Sequence, residues 1–404
     1  MHIAWLDTVV WPDTVGGVTA RVEALSRYMA RLGHHVELWI SSLPAGTMRE
    51  LSERRTVIGV GGKPVPGAMW RLGPAWNIWQ AVRHLPLEKQ VDVIFSPSPL
   101  LVTACIIRRC KVPTLYTPGG TMTGSLRGDF AHKSGWLLPR LGLVPSRQFL
   151  MAEKFCLRHA NGIIAVSEVL KQQVLRTLDG INNRVRVIHN GYDPERFAVC
   201  EGAETEDSEP AGRPFTAIFV GRLHRIKNIG HLLKAWACVR HPHKRLLIVG
   251  DGTERAALEA MANELDLGDT VMLLGQRLDV PDLLRVCDVF VLPSLFDSCP
   301  AVVIQAMGAS LPCITLKNVA GVSEVGASGE INLDGITGFC VDPLDPADMA
   351  NRLGYLAADP AKRREMGEAA RKRVLERFTW ERAAVEYLKF AEELLAANPL
   401  TSTR

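Results

Sequence analysis

The chain lacks any apolar run that approaches the roughly 20 residues a bilayer crossing takes, so no membrane span is expected. Its opening, HIAWLDTVV, reads as a first β-strand and carries neither the basic n-region nor the cleavage site of a secretory signal. The nine cysteines form no CxxC pair and no Cys/His cluster at metal-ligand spacing. That argues against a disulfide scaffold and a zinc site, and for reduced thiols in a cytoplasm. Cys105, Cys238, Cys287 and Cys313 sit in apolar stretches and are expected as small core residues. No obvious activated Ser or Cys and no clustered carboxylate pair marks an enzyme nucleophile.

What is present is enough for two hydrophobic cores: 404 residues, 47% of them hydrophobic. The net charge of +4 is unevenly spread, the first 200 residues carrying +10 and the rest −6. A basic first half suits an anionic acceptor or an anionic membrane face, and equally an ordinary solvated surface. The acidic, Pro- and Gly-bearing stretch 198–213 reads as a linker. This gives a first domain over 1–197, a second over 214–380, and a closing helix with its tail over 381–404. The closing helix could cross back onto the first domain.

Both halves alternate short apolar runs with helical periodicity, the pattern of doubly wound parallel α/β sheets. Strands are expected at 2–7, 35–40, 91–96, 113–117, 162–166 and 185–188. A helix is expected over 17–32, with Val18, Val22, Leu25, Tyr28, Met29 and Leu32 on one face and Gly33 as its stop, and another over 144–159. In such sheets ligands bind outside the carboxyl ends of the strands.

Those ends carry the candidate residues. Gly16 and Gly17 open the first helix, where backbone approaches a ligand closely and helix amides meet an anion; a plain tight turn explains them as well. Arg222 and Lys227 follow the strand AIFVG, ending at Gly221, and suit a diphosphate, with His224 and Arg225 adding charge; two solvated loop cations are the alternative. Gly250 and Gly252 close the strand RLLIV, under a nucleotide or as a structural turn. In PSLFDSCPAVVIQAMG, Asp297 lies in a loop, Ser298 is the expected N-cap, and Pro300 suits the first helical turn. Amides near 299–303 are placed for a phosphate, and Gln305, two turns on, for ribose hydroxyls; a capped helix with a surface Gln is the bland reading. The Trp-, Leu- and Arg-bearing stretches at 70–80 and 135–150 suit an acceptor groove or interfacial contact, though interdomain packing is the expected role.

Taken in order, the motifs resemble those of the retaining nucleotide-sugar glycosyltransferases of family 4, with the GT-B fold. They are GGV at 16–18, GHHVEL at 33–38, IIAVSEVLKQQV at 163–174, VIHNGYDPERF at 187–197, then VGRLHRIKN, IVGDGTER, LLGQ, DVFVLPS, GASLPCI and DGITGFCVDPLDP. The resemblance implies two Rossmann-like domains facing across a cleft, the first binding acceptor and the second donor. It places Arg222 and Lys227 on the diphosphate, Gln276 and Arg277 near the base, Asp297 on the donor sugar, Ser298, Cys299, Pro300, Ala301 and Val302 at phosphate or sugar, Gln305 on ribose, and Gly17 opposite. Two departures stand out. The family's paired glutamates are here Asp297 and Gln305, and no His lies near Pro118, where Thr117, Gly119, Gly120 and Thr121 stand instead.

The resemblance implies a metal-independent hexosyltransferase that needs no cofactor, with UDP expected ahead of GDP as the donor nucleotide. Cations and helix ends take the metal's place. The acceptor would be a hydroxyl of a lipid-linked saccharide in envelope polysaccharide synthesis, visited peripherally at the inner membrane, or of a cyclitol-like small molecule. Nucleic acid is not an expected partner. A non-catalytic paralogue that binds nucleotide sugar or a partner glycosyltransferase, and a GT-B sugar-nucleotide epimerase, remain alternatives.

Overall fold

The structure, a computed structural model, describes residues 1–7, 17–61, 83–86, 91–120, 139–195, 213–326 and 329–397. It divides into two compact units, Met1–His189 together with Trp380–Arg404, and Asn190–Thr379. The division therefore falls before the expected boundary at 197. The reason is local: Tyr192 donates its N–H to Phe378 O and its hydroxyl to Gly308 O, both in the second unit. Most of the acidic linker and the whole 70–80 stretch lie outside the described residues.

The first unit runs β1 (His2–Asp7), α1 (Gly17–Arg31), β2 (His35–Pro44), β3 (Met48–Ser52), β4 (Arg55–Gly61), β5 (Val93–Ser96), α2 (Pro99–Ile107), β6 (Thr114–Tyr116), α3 (Pro139–His159), β7 (Gly162–Ala165), α4 (Glu168–Thr177) and β8 (Val185–Val187). Its eight strands lie in the order β3-β4-β2-β1-β5-β6-β7-β8. Among the described residues only the edge pair β3–β4 is antiparallel; the other pairings are parallel. Four of the six residues on the expected face of α1, Val22, Leu25, Tyr28 and Met29, are buried, whereas Val18 at the first turn is exposed, as is Leu32 just past the last. Helix α3 begins at Pro139, five residues before the expected start. Ser167 starts α4 by accepting from the Leu170 N–H at 3.1 Å, which satisfies one orphan donor of the first turn.

The second unit runs β9 (Phe215–Val220), a 3₁₀ turn (Arg225–Lys227), α5 (Ile229–Cys238), β10 (Lys244–Val249), α6 (Arg255–Glu264), β11 (Val271–Gly275), α7 (Val280–Arg285), β12 (Val289–Leu292), β13 (Phe296–Asp297), α8 (Ala301–Gly308), β14 (Cys313–Leu316), β15 (Glu324–Val325), β16 (Gly338–Val341), α9 (Pro346–Ala358) and α10 (Pro360–Arg377). Six strands form a wholly parallel sheet, β11-β10-β9-β12-β14-β16. Both faces are covered, which is why IFV, LIV and VFV read as continuous apolar runs without alternation. Asp345 and Asp359 cap α9 and α10, each followed by a proline that loses no helical bond at that position.

The last helix, α11 (Trp380–Ala397), belongs to the first unit, where it packs on α1. The expected return of the closing helix to the first domain is thus observed. Tyr387 supplies the anchor, its ring 5.9 Å from Trp5 and 5.6 Å from Phe95, which stack on each other at 5.1 Å. Arg186 reinforces the end, paired with Glu393 at 2.6 Å and lying over the Phe390 ring. Among the expected core cysteines, Cys238 is exposed, because it is the last residue of α5, while Cys105, Cys287 and Cys313 are buried. No helix among the described residues is long and apolar enough to cross a membrane.

Because the aromatic trio joins α11 to the sheet, Tyr387→Ala is expected to destabilise the first unit by about 3 kcal/mol, as large-to-small aromatic core changes do. Urea unfolding followed by circular dichroism measures this, with Tyr387→Phe losing much less.

Candidate functional site

The second sheet reverses direction between β9 and β12. The chain winds outward from β9 through β10 to β11, then returns to the other side of β9 as β12. The crevice at the carboxyl ends of these two strands is the switch point where open α/β sheets bind ligands. Two loops line it. After β9 come Gly221, Arg222 and Leu223, then the 3₁₀ turn that carries Lys227. His224 caps that turn by accepting the Ile226 N–H, and Asn228 closes it in the left-handed region at φ 52°. After β12 the chain runs through Pro293 and the fully buried Ser294 to β13.

The two loops are tied to each other. Leu295 N–H donates to Ile226 O at 2.9 Å. Lys227 Nζ meets Asp297 Oδ2 at 2.5 Å, the two side chains being only 17% and 19% exposed. Asp297 is held from behind, since β13 pairs with β15 and Gly326 N–H donates to Asp297 O at 2.8 Å. Arg222 is exposed on the same loop. Arg222, Lys227 and Asp297, predicted separately, are therefore brought to one strand-end crevice, and a lysine–carboxylate pair unites residues seventy apart in sequence.

The glycines serve the packing of the loops. A Cβ on Gly250, at φ 133°, would lie 1.9 Å from Gly221 O, and one on Gly252 2.3 Å from Leu223 O. Their backbones press against the Arg222 loop, where Leu223 N–H donates to Asp251 O and Glu254 N–H to Leu223 O. The structural-turn reading of Gly250 and Gly252 accounts for what is seen.

Ser298 is not the N-cap of α8. The helix begins at Ala301 and Pro300 occupies the cap position, with φ −68° and ψ 102° and no side-chain cap bond. A proline restricts the residue before it to extended conformations, so the helix cannot start earlier. The amides without an intrahelical acceptor are thus those of Ala301 and Val302. Gln305 lies one turn inside α8, half-buried, and not two helical turns from Asp297, because Asp297 sits in a strand. Cys299 is buried, and its carbonyl accepts from Asn190 Nδ2 at 2.8 Å. Asn190 thereby positions the 298–300 loop, a role that sequence reasoning missed; the HNGYD motif held the signal without naming the contact.

Gln276 and Arg277 follow β11 and are both exposed. The Arg277 guanidinium forks onto the Asp279 carboxylate at 2.8 and 2.6 Å, which raises the arginine pKa and lowers that of the aspartate. In the first unit, Gly17 opens α1 and a Cβ there would meet nothing within 4 Å. Thr117, Gly119 and Gly120 follow β6, Thr117 buried and the two glycines exposed. Gly119 passes so close to α1 that a Cβ would lie 2.6 Å from Val18 Cγ2. The buried Arg21 on α1 holds this loop, donating to Thr117 O at 2.5 Å and Pro118 O at 3.2 Å. Sequence reasoning missed Arg21 too, since it is one of several cations on its helix. Gly16 and Thr121 lie outside the described residues.

Burial pushes the Cys287 thiol up to about 12 and those of Cys105 and Cys313 higher still, so these three stay protonated at neutral pH. Among the described residues, no group of three or more His, Cys, Asp or Glu side chains is arranged to hold a metal ion.

Two family models divide the chain between them: Glycosyltransferase Family 4 matches residues 15–196, and Glycosyl transferases group 1 matches residues 202–373. The chain belongs to the family 4, group 1 glycosyltransferases. This glycosyltransferase is 26% identical over 400 residues to a glycogen synthase of Mycobacterium tuberculosis, a match that covers 92% of the chain and 90% of that protein. Among solved structures it resembles sucrose-phosphate synthase from Thermosynechococcus elongatus, with TM-score 0.79 at 23% identity over 98% and 100% of the two chains. It also resembles Anabaena HepE in complex with UDP and glucose, with TM-score 0.71 at 19% identity over 97% and 100%. The expected GT-B fold of two Rossmann-like domains is thereby established.

Gly250→Ala is expected to destabilise the glycosyltransferase by at least roughly 1–3 kcal/mol, the strain of a left-handed backbone plus the clash with Gly221 O. Thermal unfolding measures the loss, and Gly268→Ala, where a Cβ meets nothing within 4 Å, provides the control.

Proposed function

We propose that the chain transfers a hexosyl group from a UDP-sugar to a saccharide hydroxyl, with retention of anomeric configuration and without a metal ion. The observation that carries this reading is the joint placement of Arg222, Lys227 and Asp297 at the carboxyl ends of β9 and β12. The binding of UDP and glucose named for HepE, and the sugar transfer implied for the glycogen synthase relative, support the donor and acceptor classes.

On this reading Arg222 and Lys227 bind the diphosphate, and the Ala301 and Val302 amides approach it at the positive end of α8. Asp297 accepts hydrogen bonds from donor-sugar hydroxyls, Gln305 contacts the ribose, and Gln276 lies toward the base. The bond from the anomeric carbon to the diphosphate oxygen lengthens, and the two cations stabilise the charge that grows on the leaving group. The acceptor oxygen attacks from the face the diphosphate leaves and gives its proton to a phosphate oxygen. Cations do the neutralising that a divalent metal would otherwise supply.

Incubation with UDP-hexoses and saccharide acceptors, read by NMR of the product, is expected to show the donor's anomeric configuration preserved and turnover persisting in chelator. An inverted product overturns the mechanism, and loss of turnover in chelator overturns metal independence. Arg222→Ala is expected to lower kcat by about 100-fold, the scale of losing one preorganised charge-stabilising group.

Gln305→Glu restores a charge-assisted ribose contact and should tighten UDP binding by roughly tenfold. Calorimetric titration checks this; unchanged affinity removes Gln305 from the ribose site.

A further inference from the structure

The Lys227–Asp297 pair occupies the position in which each partner is needed for a different part of the donor. We infer that the pair is a latch that makes the site discriminate between an intact sugar nucleotide and the spent nucleoside diphosphate. The inference rests on the donor-site reading above. It adds an order of events to that site: Lys227 is neutralised before the diphosphate arrives, and only a ligand with a sugar compensates both partners when the pair opens.

The geometry supports this in three ways. The two charged groups are at 2.5 Å and more than four-fifths buried, so opening the pair leaves each charge poorly hydrated. Neither backbone can relax to absorb the change. Lys227 ends a 3₁₀ turn closed by the left-handed Asn228, and Asp297 is pinned by β13–β15 pairing and the Gly326 N–H. The two loops are also bonded to each other through Leu295 N–H and Ile226 O, so they hold the pair at a fixed separation.

A bare diphosphate can pull Lys227 away, but it offers Asp297 only negative charge. The carboxylate is then poorly hydrated and unpaired, which raises the cost of holding the product. A sugar nucleotide delivers hydroxyl donors to Asp297 at the same moment as phosphate oxygens to Lys227. The pair therefore weakens product retention more than donor binding and favours release of the nucleoside diphosphate after transfer.

The test is a double-mutant cycle over Lys227→Met, Asp297→Asn and the combination, with UDP and UDP-glucose titrated calorimetrically into each folded variant. Asp297→Asn is expected to lower the Kd for UDP by roughly tenfold, within the range of coupling between contacting charges, while the Kd for UDP-glucose does not fall comparably. In the Lys227→Met background the same change should alter the UDP Kd by less than about twofold, because no latch remains to open. Tightening that persists in that background shows plain repulsion between Asp297 and phosphate and overturns the latch. So does an unchanged or weaker UDP affinity in Asp297→Asn alone. If the wild type binds neither UDP nor UDP-glucose while variants remain folded by circular dichroism, the donor-site reading itself fails.

Discussion

Parallel strand pairing cannot be closed by a tight turn, and that constraint organises both units. Each strand must be followed by a crossover that returns over one face before the next strand begins. The carboxyl ends of the parallel strands therefore emerge along one edge, and the loops that leave them can carry polar chemistry because the helices on either face supply the core. In the second unit this edge gathers the loops after β9, β10, β11 and β12, drawn from residues far apart in sequence. Where the winding changes sides, between β9 and β12, the two strand-end loops carry Arg222, Lys227 and Asp297. Chemistry here follows from topology: the same residues in an antiparallel sheet would be split between two edges.

The loops are not passive. Gly250 and Gly252 let one strand-end loop lie against the next at distances that no side chain permits, so the backbone carrying Arg222 rests on the backbone after β10. The 3₁₀ turn is fixed by His224 and Asn228, and the loop after β12 by a second small parallel pairing, β13–β15. In the first unit the buried Arg21 does the equivalent service for the loop after β6, spending its guanidinium on two backbone carbonyls. Such hydrogen bonds from a charged donor are stronger than neutral ones, and a rigid supporting layer is what holds a site to useful tolerances.

How much of this could be read beforehand depended on range. The β-strands were legible because a fully covered parallel strand has to be a short unbroken apolar run, and α1 was legible from its periodicity. The edge hairpin β3–β4 was not: MRELS has little apolar content and stands exposed, and the buried run of β4, RTVIGVG, is interrupted by glycine. The start of α8 was misplaced because Ser298 is a favoured capping residue, yet Pro300 holds Cys299 extended and delays the helix. The individual members of the site were visible as charged residues at strand ends. Their relation was not: nothing local to Lys227 signals a carboxylate seventy positions away, nor does anything local to Asn190 point to the carbonyl of Cys299.

The acidic partner of Lys227 also explains how a cation can wait in a mostly buried place. An isolated ammonium there would carry a heavy desolvation cost. A carboxylate at contact distance offsets that cost, and the pair holds the lysine side chain at the strand ends. The two loops are already hydrogen-bonded to each other through Leu295 N–H and Ile226 O, which sets the separation that the pair bridges. Asp297 reaches Lys227 at 2.5 Å from a strand paired with β15. A side chain one methylene longer would have to bend to make the same contact, with an entropy cost that the aspartate avoids. The aspartate that sets this chain apart from the paired-glutamate pattern is therefore suited to closing a pair across rigid loops, and the same rigidity makes opening that pair depend on what the ligand offers in return.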